Sequence, residues 1–211
     1  MENSVANSRQ IAQYLLEIKA VVLQPENPFT WASGWKSPIY CDNRLILSYP
    51  KIREAVRNAF AQMSKELKFD RIAGVATGGI AHAAFVAEAL NMPMCYVRSS
   101  KKGHGRQNQV EGVAEAGDKI LVIEDLVSTG GSSLQAVDAL REKGVDVVGL
   151  YSVFTYGFQQ AADAFENANV YYKALTNYND LLSVAIEQGY IKEDLLPELE
   201  AWRNAPHVWR Q

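Results

Sequence analysis

The residues from 120 to 133 have the types and the spacing that chemistry would need. Four consecutive apolar residues at 120–123 are typical of a buried parallel strand, and two adjacent carboxylates, Glu124 and Asp125, follow them. Hydroxyls and glycines come next and lead into a predicted helix that begins at Gly130. Glycines let backbone N–H groups converge on an anion, and a helix N-terminus adds partial positive charge. The pattern predicts a phosphate-binding loop, with the carboxylates facing sugar hydroxyls or a magnesium ion.

A simpler interpretation of the same residues is a capped helix after a core strand, with both carboxylates merely solvated. It requires the whole string to arise by chance, so we favour the phosphate loop. A nucleotide-binding P-loop is excluded, because the Gly-Lys-Ser/Thr that such a loop needs is missing.

A second segment, 98–106, concentrates positive charge, and no acidic residue follows until Glu111. Such a concentration in a net-acidic protein suits a small polyanion such as pyrophosphate. Gly103 and Gly105 predict enough flexibility for this segment, here called the lid, to close over a site. A solvated charge run without function is the alternative. The charged candidates are Arg98, Lys101, Lys102, His104 and Arg106.

A third loop, 76–79, ends a predicted strand and begins a helix with the pair Gly78 and Gly79. Two glycines there permit a close approach of the backbone to a phosphate, and tight helix packing explains them almost as well.

The elements that must position these loops alternate between strand and helix from residue 51 onward, which predicts an α/β fold: a doubly wound, mostly parallel sheet. Ligands of such sheets bind at the carboxyl ends of the strands. Before residue 51 we expect a helix over 8–23, capped by Asn7 or Ser8, and an irregular stretch over 25–50. The predicted helices are 50–67, 78–90, 130–144, 157–168 and two more near the C-terminus; the predicted strands are 71–76, 94–98, 119–124, 145–154 and 169–175.

Composition narrows the function classes. The chain has 211 residues and a formal net charge of −3, and a general nucleic-acid binder would need a basic surplus. The longest apolar runs fall far short of the roughly 18 residues that span a bilayer. Two cysteines, Cys41 and Cys95, are too few for a disulfide framework or a cysteine-based zinc site. We therefore expect a cytoplasmic protein that binds neither nucleic acid nor membrane.

At residues 120–133 the sequence resembles the type I phosphoribosyltransferase family, which uses phosphoribosyl pyrophosphate and Mg²⁺. The resemblance implies that Glu124 and Asp125 contact the ribose 2- and 3-hydroxyls, that loop 76–79 lines the pyrophosphate pocket, and that the lid cations Arg98, Lys101, Lys102 and His104 contact the substrate. It implies no direct protein ligand for the metal beyond Asp125. The remaining residues expected at phosphoribosyl pyrophosphate are Leu126, Val127, Ser128, Thr129, Gly130, Gly131 and Ser132, of which 128–132 wrap the 5-phosphate.

The stretch 29–44 resembles the segment that orotate phosphoribosyltransferases carry near their amino terminus, and the lid resembles theirs too. The implied reaction joins orotate to phosphoribosyl pyrophosphate, in pyrimidine synthesis, with Lys102, Glu124 and Asp125 as catalytic residues. Orotate would contact Ser128, with Tyr40 and Arg44 as further candidates; most aromatic residues of the stretch we assign to a core. The family also implies a homodimer whose lid reaches the partner's site.

The implied architecture is one domain over 1–211, with an amino-terminal hood (1–50), a core (51–175) and C-terminal helices (176–211). The chain departs from some relatives at Ala32 and Ser99, where they carry lysine. It also departs at Tyr156, where some carry an arginine for the orotate carboxylate. That departure leaves the carboxylate partner open.

Two rival functions remain at the level of the sequence. The enzyme could act on a purine instead of orotate, or the chain could be a regulator that binds phosphoribosyl pyrophosphate without turnover. Against the regulator, the lid keeps its lysines and histidine, and no DNA-binding helical extension is visible.

Overall fold

The computed structural model describes residues 6–31, 34–98 and 109–210, and these form an α/β fold around one six-stranded sheet. The expected fold class is confirmed. The strands are β1 (Val21–Leu23), β2 (Phe29–Thr30), β3 (Lys36–Ser37), β4 (Ile39–Cys41), β5 (Arg71–Val75), β6 (Met94–Val97), β7 (Val110–Gly112), β8 (Lys119–Val127), β9 (Asp146–Thr155) and β10 (Tyr172–Asn177).

Helices connect these strands and cover the sheet. They are α1 (Ser8–Glu17), α2 (Pro50–Ser64), α3 (Gly78–Leu90), α4 (Gly131–Arg141), α5 (Gln159–Asn167), α6 (Tyr178–Glu187) and α7 (Leu196–Asn204), with two short 3-10 helices, Asn43–Ser48 and Glu193–Leu195.

The six strands run in the order β10-β9-β8-β5-β6-β7. All neighbouring pairs are parallel except β6 and β7, which are antiparallel, so five strands end at one edge of the sheet. Because β5 and β8 are direct neighbours, the loops that follow them lie side by side, which is where sheets of this class bind ligands.

The middle of β8 is buried on both faces of the sheet. Leu121 and Ile123 are fully buried in a core shared with α1, α2, α3 and α6, and Ile120 and Val122 are buried in a second core shared with α4 and α5. Side chains of a strand alternate between faces, so an unbroken apolar run is needed where both faces carry helices.

Several element boundaries differ from the sequence predictions. The first helix ends at Glu17 instead of 23: Lys19 has a φ of +57°, and Val22, placed on the helical stripe, lies in β1. Asn7 is the cap, accepting a hydrogen bond from the Gln10 backbone N–H at 2.9 Å. Strand β7 was not predicted, and β8 runs three residues beyond Glu124.

The hood is not wholly irregular. It contains two small antiparallel pairs, β1 with β4 and β2 with β3, followed by the 3-10 helix Asn43–Ser48. Trp31 anchors it to the rest of the chain, with its ring centroid 5.2 Å from that of Tyr156 and 5.7 Å from that of Trp202. The expectation that the hood aromatics form a core therefore holds for Trp31.

Within the described ranges, no helix is apolar and long enough to cross a bilayer; the longest, α2, has 15 residues. The prediction of one domain divided at residues 50 and 175 stays a prediction. Helix α1 of the hood range packs on α6 and β10, and β10 continues to Asn177.

Candidate active site

A cavity of about 500 Å³ lies at the carboxyl ends of β5 and β8, beneath the hood. It brings together three separate segments: the hood strand β4 with the residues after it, loop 76–79, and the segment from the end of β8 into α4. The lining residues are Cys41, Asp42, Arg44, Ala76, Thr77, Gly78, Glu124, Asp125, Leu126, Ser128, Thr129, Gly130, Gly131, Ser132 and Ser133.

Glu124 is buried, with 4% of its surface exposed. Its carboxylate accepts hydrogen bonds from the Asp125 backbone N–H at 3.0 Å and from the Ser133 hydroxyl at 3.1 Å. Burial, reinforced by the neighbouring Asp125 carboxylate, raises the pKa of Glu124 well above the ordinary glutamate value. Two adjacent carboxylates in a partly dry site resist carrying two negative charges, and this favours the protonated form of Glu124.

Asp125 packs directly against the first turn of α3. A Cβ built on Gly78 would overlap the Asp125 carboxylate, and one built on Gly79 would lie 2.5 Å from the Ile123 carbonyl oxygen. Both contacts support tight packing, the second of the two explanations for this glycine pair, and close approach of the loop to a phosphate stays a prediction. The Ala76–Thr77 peptide bond of this loop is cis.

The predicted phosphate loop (128–132) wraps the N-terminus of α4. Gly130 precedes the helix with φ of +84°, a left-handed conformation that favours glycine, and a Cβ there would also lie 3.1 Å from the Phe165 ring. The helix N-terminus and the loop hydroxyls thus point to an anion site in the cavity.

Leu126 and Val127, the last two residues of β8, differ in their contact with the cavity. Leu126 lines it, whereas the Val127 side chain is buried in the core beneath α4 and α5. A role for Val127 would therefore use its backbone.

The hood contributes Arg44 to the cavity wall. Arg44 is exposed and donates from Nε to Asp42 Oδ1 at 2.7 Å and from Nη2 to Oδ2 at 3.0 Å. This pairing lowers the pKa of Asp42. Tyr40 lies outside the cavity lining: its side chain is 46% exposed and its ring is tilted against Phe29, with centroids 5.6 Å apart.

Arg98 lies at the end of β6, where its Nη1 is 3.6 Å from the Glu111 carboxylate of β7. Arg98 is not among the residues that line the cavity. The other lid candidates, Lys101, Lys102 and His104, lie outside the described residues, as do Ala32 and Ser99.

Comparison with known proteins decides the family. The family model described as "Phosphoribosyl transferase domain" matches residues 44–180. Orotate phosphoribosyltransferase of Bacillus cereus (strain B4264) is 52% identical over 200 residues, covering 94% of this chain and 95% of that protein. The chain belongs to the orotate phosphoribosyltransferase family.

Two further comparisons agree with this assignment. Orotate phosphoribosyltransferase of Bacteroides thetaiotaomicron is 52% identical over 203 residues, covering 95% of this chain and 96% of that protein. The crystal structure of orotate phosphoribosyltransferase from Aeropyrum pernix matches with a TM-score of 0.75 and 27% identity, covering 86% of this chain and 99% of that one. The chain is therefore a glycosyltransferase-type enzyme of this family, and neither a purine-specific enzyme nor a regulator is supported.

Three residues of this cavity were not singled out from the sequence: Cys41 and Asp42 in its wall, and Ser133, which donates to Glu124. Ser133 could have been found, because it follows the phosphate loop directly. Cys41 and Asp42 lie in the stretch 29–44 that resembles the family segment, but their residue types did not indicate which positions of that stretch reach the end of β8.

Tyr156, at the position where some family members carry arginine, is 3% exposed and packs among Phe154, Phe158 and Trp202. A buried tyrosine in an aromatic cluster cannot replace an arginine as a cationic partner for a carboxylate. The departure noted in the sequence is therefore a change from charge to aromatic packing.

The raised pKa of Glu124 predicts a pH-dependent effect of Glu124→Gln. A carboxyl whose pKa is higher in the folded than in the unfolded state stabilises the fold below its ordinary pKa, and that contribution is lost as pH rises toward the raised value. Glutamine stays neutral, so the variant should become more stable than wild type by an increasing margin from about pH 5 to pH 8.

Thermal unfolding of both proteins across that pH range measures the difference in Tm. Glu166→Gln, at an exposed glutamate of α5, controls for loss of a carboxylate elsewhere. A Tm difference that stays constant with pH would contradict the raised pKa.

Proposed function

We propose that phosphoribosyl pyrophosphate and orotate react in this cavity to give orotidine monophosphate and pyrophosphate. The observation that carries this proposal is the junction of β8 with α4. It puts the Glu124–Asp125 carboxylates and the hydroxyl- and glycine-rich loop 128–132 on one cavity wall. The two relatives that are orotate phosphoribosyltransferases and 52% identical over nearly the whole chain support the choice of orotate.

Each part of the donor substrate has a matching surface. The 5-phosphate suits the phosphate loop, where backbone N–H groups, hydroxyls and the α4 N-terminus favour an anion. The ribose 2- and 3-hydroxyls suit Glu124 and Asp125, since carboxylates accept hydrogen bonds from hydroxyls. The pyrophosphate suits loop 76–79, with the lid cations Arg98, Lys101, Lys102 and His104 supplying positive charge.

The reaction needs charge stabilisation more than proton transfer. As the bond from the anomeric carbon to pyrophosphate breaks, positive charge develops on the ribose, and the carboxylate pair at the end of β8 stabilises it. Lys102, with Arg98 and His104, balances the charge that develops on the leaving group. These interactions strengthen in the transition state, where they lower the barrier. Orotate attacks in the form whose ring nitrogen has already lost its proton to solvent, so we assign no general base.

Mg²⁺ fits the site as a substrate-borne ion. No group of three or more potential metal ligands occurs among the described histidine, cysteine and acidic residues. The cavity does offer the Asp125 carboxylate, and Mg²⁺ is commonly held by one or two carboxylates together with substrate phosphates. Asp125 is the residue that would hold it, and the ion would supply positive charge against the pyrophosphate oxygens.

Orotate would lie between the phosphate loop and the hood. Ser128 and Arg44 line the cavity and offer a hydroxyl and a guanidinium; Arg44 would exchange Asp42 for the orotate carboxylate. Tyr40 would have to turn toward the cavity from its position against Phe29. We further propose that the enzyme is a cytoplasmic homodimer in which the lid of one subunit reaches the site of the other.

The activity is tested by the absorbance change as orotate is consumed. Pure protein with phosphoribosyl pyrophosphate and Mg²⁺ at neutral pH should consume orotate and release pyrophosphate, and omission of either component should stop the reaction. Adenine and hypoxanthine serve as alternative acceptors. Pyrophosphate release with a purine and none with orotate would overturn the proposal.

Asp125→Asn keeps the shape of the side chain and removes a negative charge beneath the ribose. We expect kcat to fall by about 10²- to 10³-fold, as for other electrostatic contacts to developing charge, with a smaller change in KM. Asp163→Asn, at an exposed carboxylate of α5, is the matched control and should keep wild-type kcat. An unchanged kcat in Asp125→Asn would mean that this carboxylate is only a solvated strand end.

The shared lid makes a prediction about mixed dimers. Lys102→Ala should lower kcat more than binding of phosphoribosyl pyrophosphate, because its charge matters most as pyrophosphate departs. If lid and carboxylates meet across the interface, each heterodimer of Lys102→Ala with Asp125→Asn has one intact site. Mixing the two inactive variants should then restore about half of wild-type activity per heterodimer.

Subunit exchange is verified by mass spectrometry with one variant isotopically labelled. Activity that stays at the level of the parents after complete exchange would assign lid and carboxylates to the same subunit.

A further inference from the structure

Asn43 is a buried polar residue of the hood that connects directly to the carboxylate pair. It begins the 3-10 helix Asn43–Ser48, is 1% exposed, and its Nδ2 donates to the Asp125 backbone carbonyl at 2.6 Å. The two residues are 82 positions apart in the chain. A carbonyl oxygen only accepts, so the nitrogen of the amide must face it, and the orientation of the Asn43 side chain is fixed by chemistry.

The other end of the amide is also engaged. The Cys41 thiol lies 3.4 Å from Asn43 Oδ1 and donates to it. Burial, with the nearby Asp125 and Asp42 carboxylates, raises the pKa of the Cys41 thiol, which keeps its proton available for this bond. Asn43 therefore links β4 of the hood to the carboxyl end of β8.

The hydrogen bond from Asn43 reaches β8 at a point where β8 is no longer paired with β5. The β5–β8 ladder ends at Gly74 and Ile123, and β8 continues to Val127 with β9 as its partner. Asn43 thus contacts the backbone of Asp125 beyond the end of that ladder. The carboxylate of the same residue is confined on the α3 side by Gly78, which leaves no room for a Cβ.

We propose that Asn43 is a positioning residue, holding the Asp125 backbone so that the carboxylate stays beneath the ribose while the hood closes the other side of the site. The inference rests on the proposed function of Asp125. Asn43 itself touches no reacting atom. Its effect reaches the reaction through Asp125, and it ties the hood, where the base would bind, to the strand that would hold the sugar.

The test is a double-mutant cycle on the full-length protein. Asn43→Leu is close in size and removes the donor, and Asp125→Asn removes the charge that Asn43 is proposed to position. We expect Asn43→Leu alone to lower kcat about 10-fold, with KM for phosphoribosyl pyrophosphate within about 2-fold of wild type. In the Asp125→Asn background the same substitution should lower kcat by less than about 2-fold, because the two effects act through one group.

Ser37→Ala is the matched control for loss of hood stability. Ser37 is fully buried, and its hydroxyl donates to the Ile39 carbonyl at 2.8 Å and accepts from the Ile39 N–H at 3.2 Å, so both bonds stay within the hood. It should lower Tm comparably and leave kcat near wild type. If Asn43→Leu does not fold, Asn43→Ala, which adds no atoms, goes through the same cycle.

Additive losses in the cycle, or a kcat loss in Ser37→Ala equal to that of Asn43→Leu, would overturn the positioning role and leave the proposed function intact. A folded wild-type protein that consumes no orotate would overturn the proposed function, and this inference with it.

Discussion

The close contact of the first turn of α3 with β5 and with the end of β8 is the constraint on which the site depends. Gly74, Gly78 and Gly79 leave no space for a Cβ against Ile80, Asp125 and the Ile123 carbonyl, respectively. Because no side chain separates the helix from the strand, the loop 76–79 and the carboxylates share one cavity wall. A larger residue at Gly74 or Gly79 would meet backbone atoms and move the helix outward, which would separate the surface suited to pyrophosphate from the surface suited to ribose. A larger residue at Gly78 would displace the Asp125 carboxylate itself.

The charge arrangement at this wall explains how an acidic protein can bind an anion. The phosphate loop offers N–H groups, hydroxyls and the α4 N-terminus, none of which carries a full charge. Burial of Glu124 favours its protonated form, which limits the repulsion that two carboxylates would exert on an approaching polyanion. The cationic side chains that are predicted to contact pyrophosphate belong instead to the lid. Binding of the 5-phosphate and stabilisation of the charge on pyrophosphate are therefore assigned to different segments.

Sequence reasoning succeeded where the pattern is local. The apolar run 120–123 identified a strand buried on both faces, and the carboxylates, glycines and hydroxyls after it identified the cavity wall. It failed where tertiary contacts decide. Glu124 and Asp125 look like a strand end, yet β8 continues because Leu126 and Val127 pair with Phe154 and Thr155 of β9.

The hood shows the same limit. Tyr40, a candidate for contact with the base, lies outside the cavity lining and is about half exposed, because the alternation of β4 buries Ile39 and exposes its neighbour. The pairing of Arg44 with Asp42 depends on the 3-10 helix that follows β4. No periodic pattern in the sequence predicts that helix. The bond from Asn43 to Asp125 spans 82 positions and has no local signal at all.

Two kinds of contact attach the hood to the core: apolar packing keeps the hood close to β9, and a hydrogen bond sets its position relative to β8. The ring of Trp31 packs with Tyr156 and Trp202, and such apolar contacts hold the hood near the end of β9 without strict direction. A hydrogen bond has a narrow range of length and angle, so the bond from Asn43 sets the position of β4 relative to β8 more closely than packing can. With Tyr156 in the aromatic cluster instead of an arginine, the end of β9 holds the hood in place, and the polar contacts proposed for a base are left to Arg44 and to Ser128 of the phosphate loop.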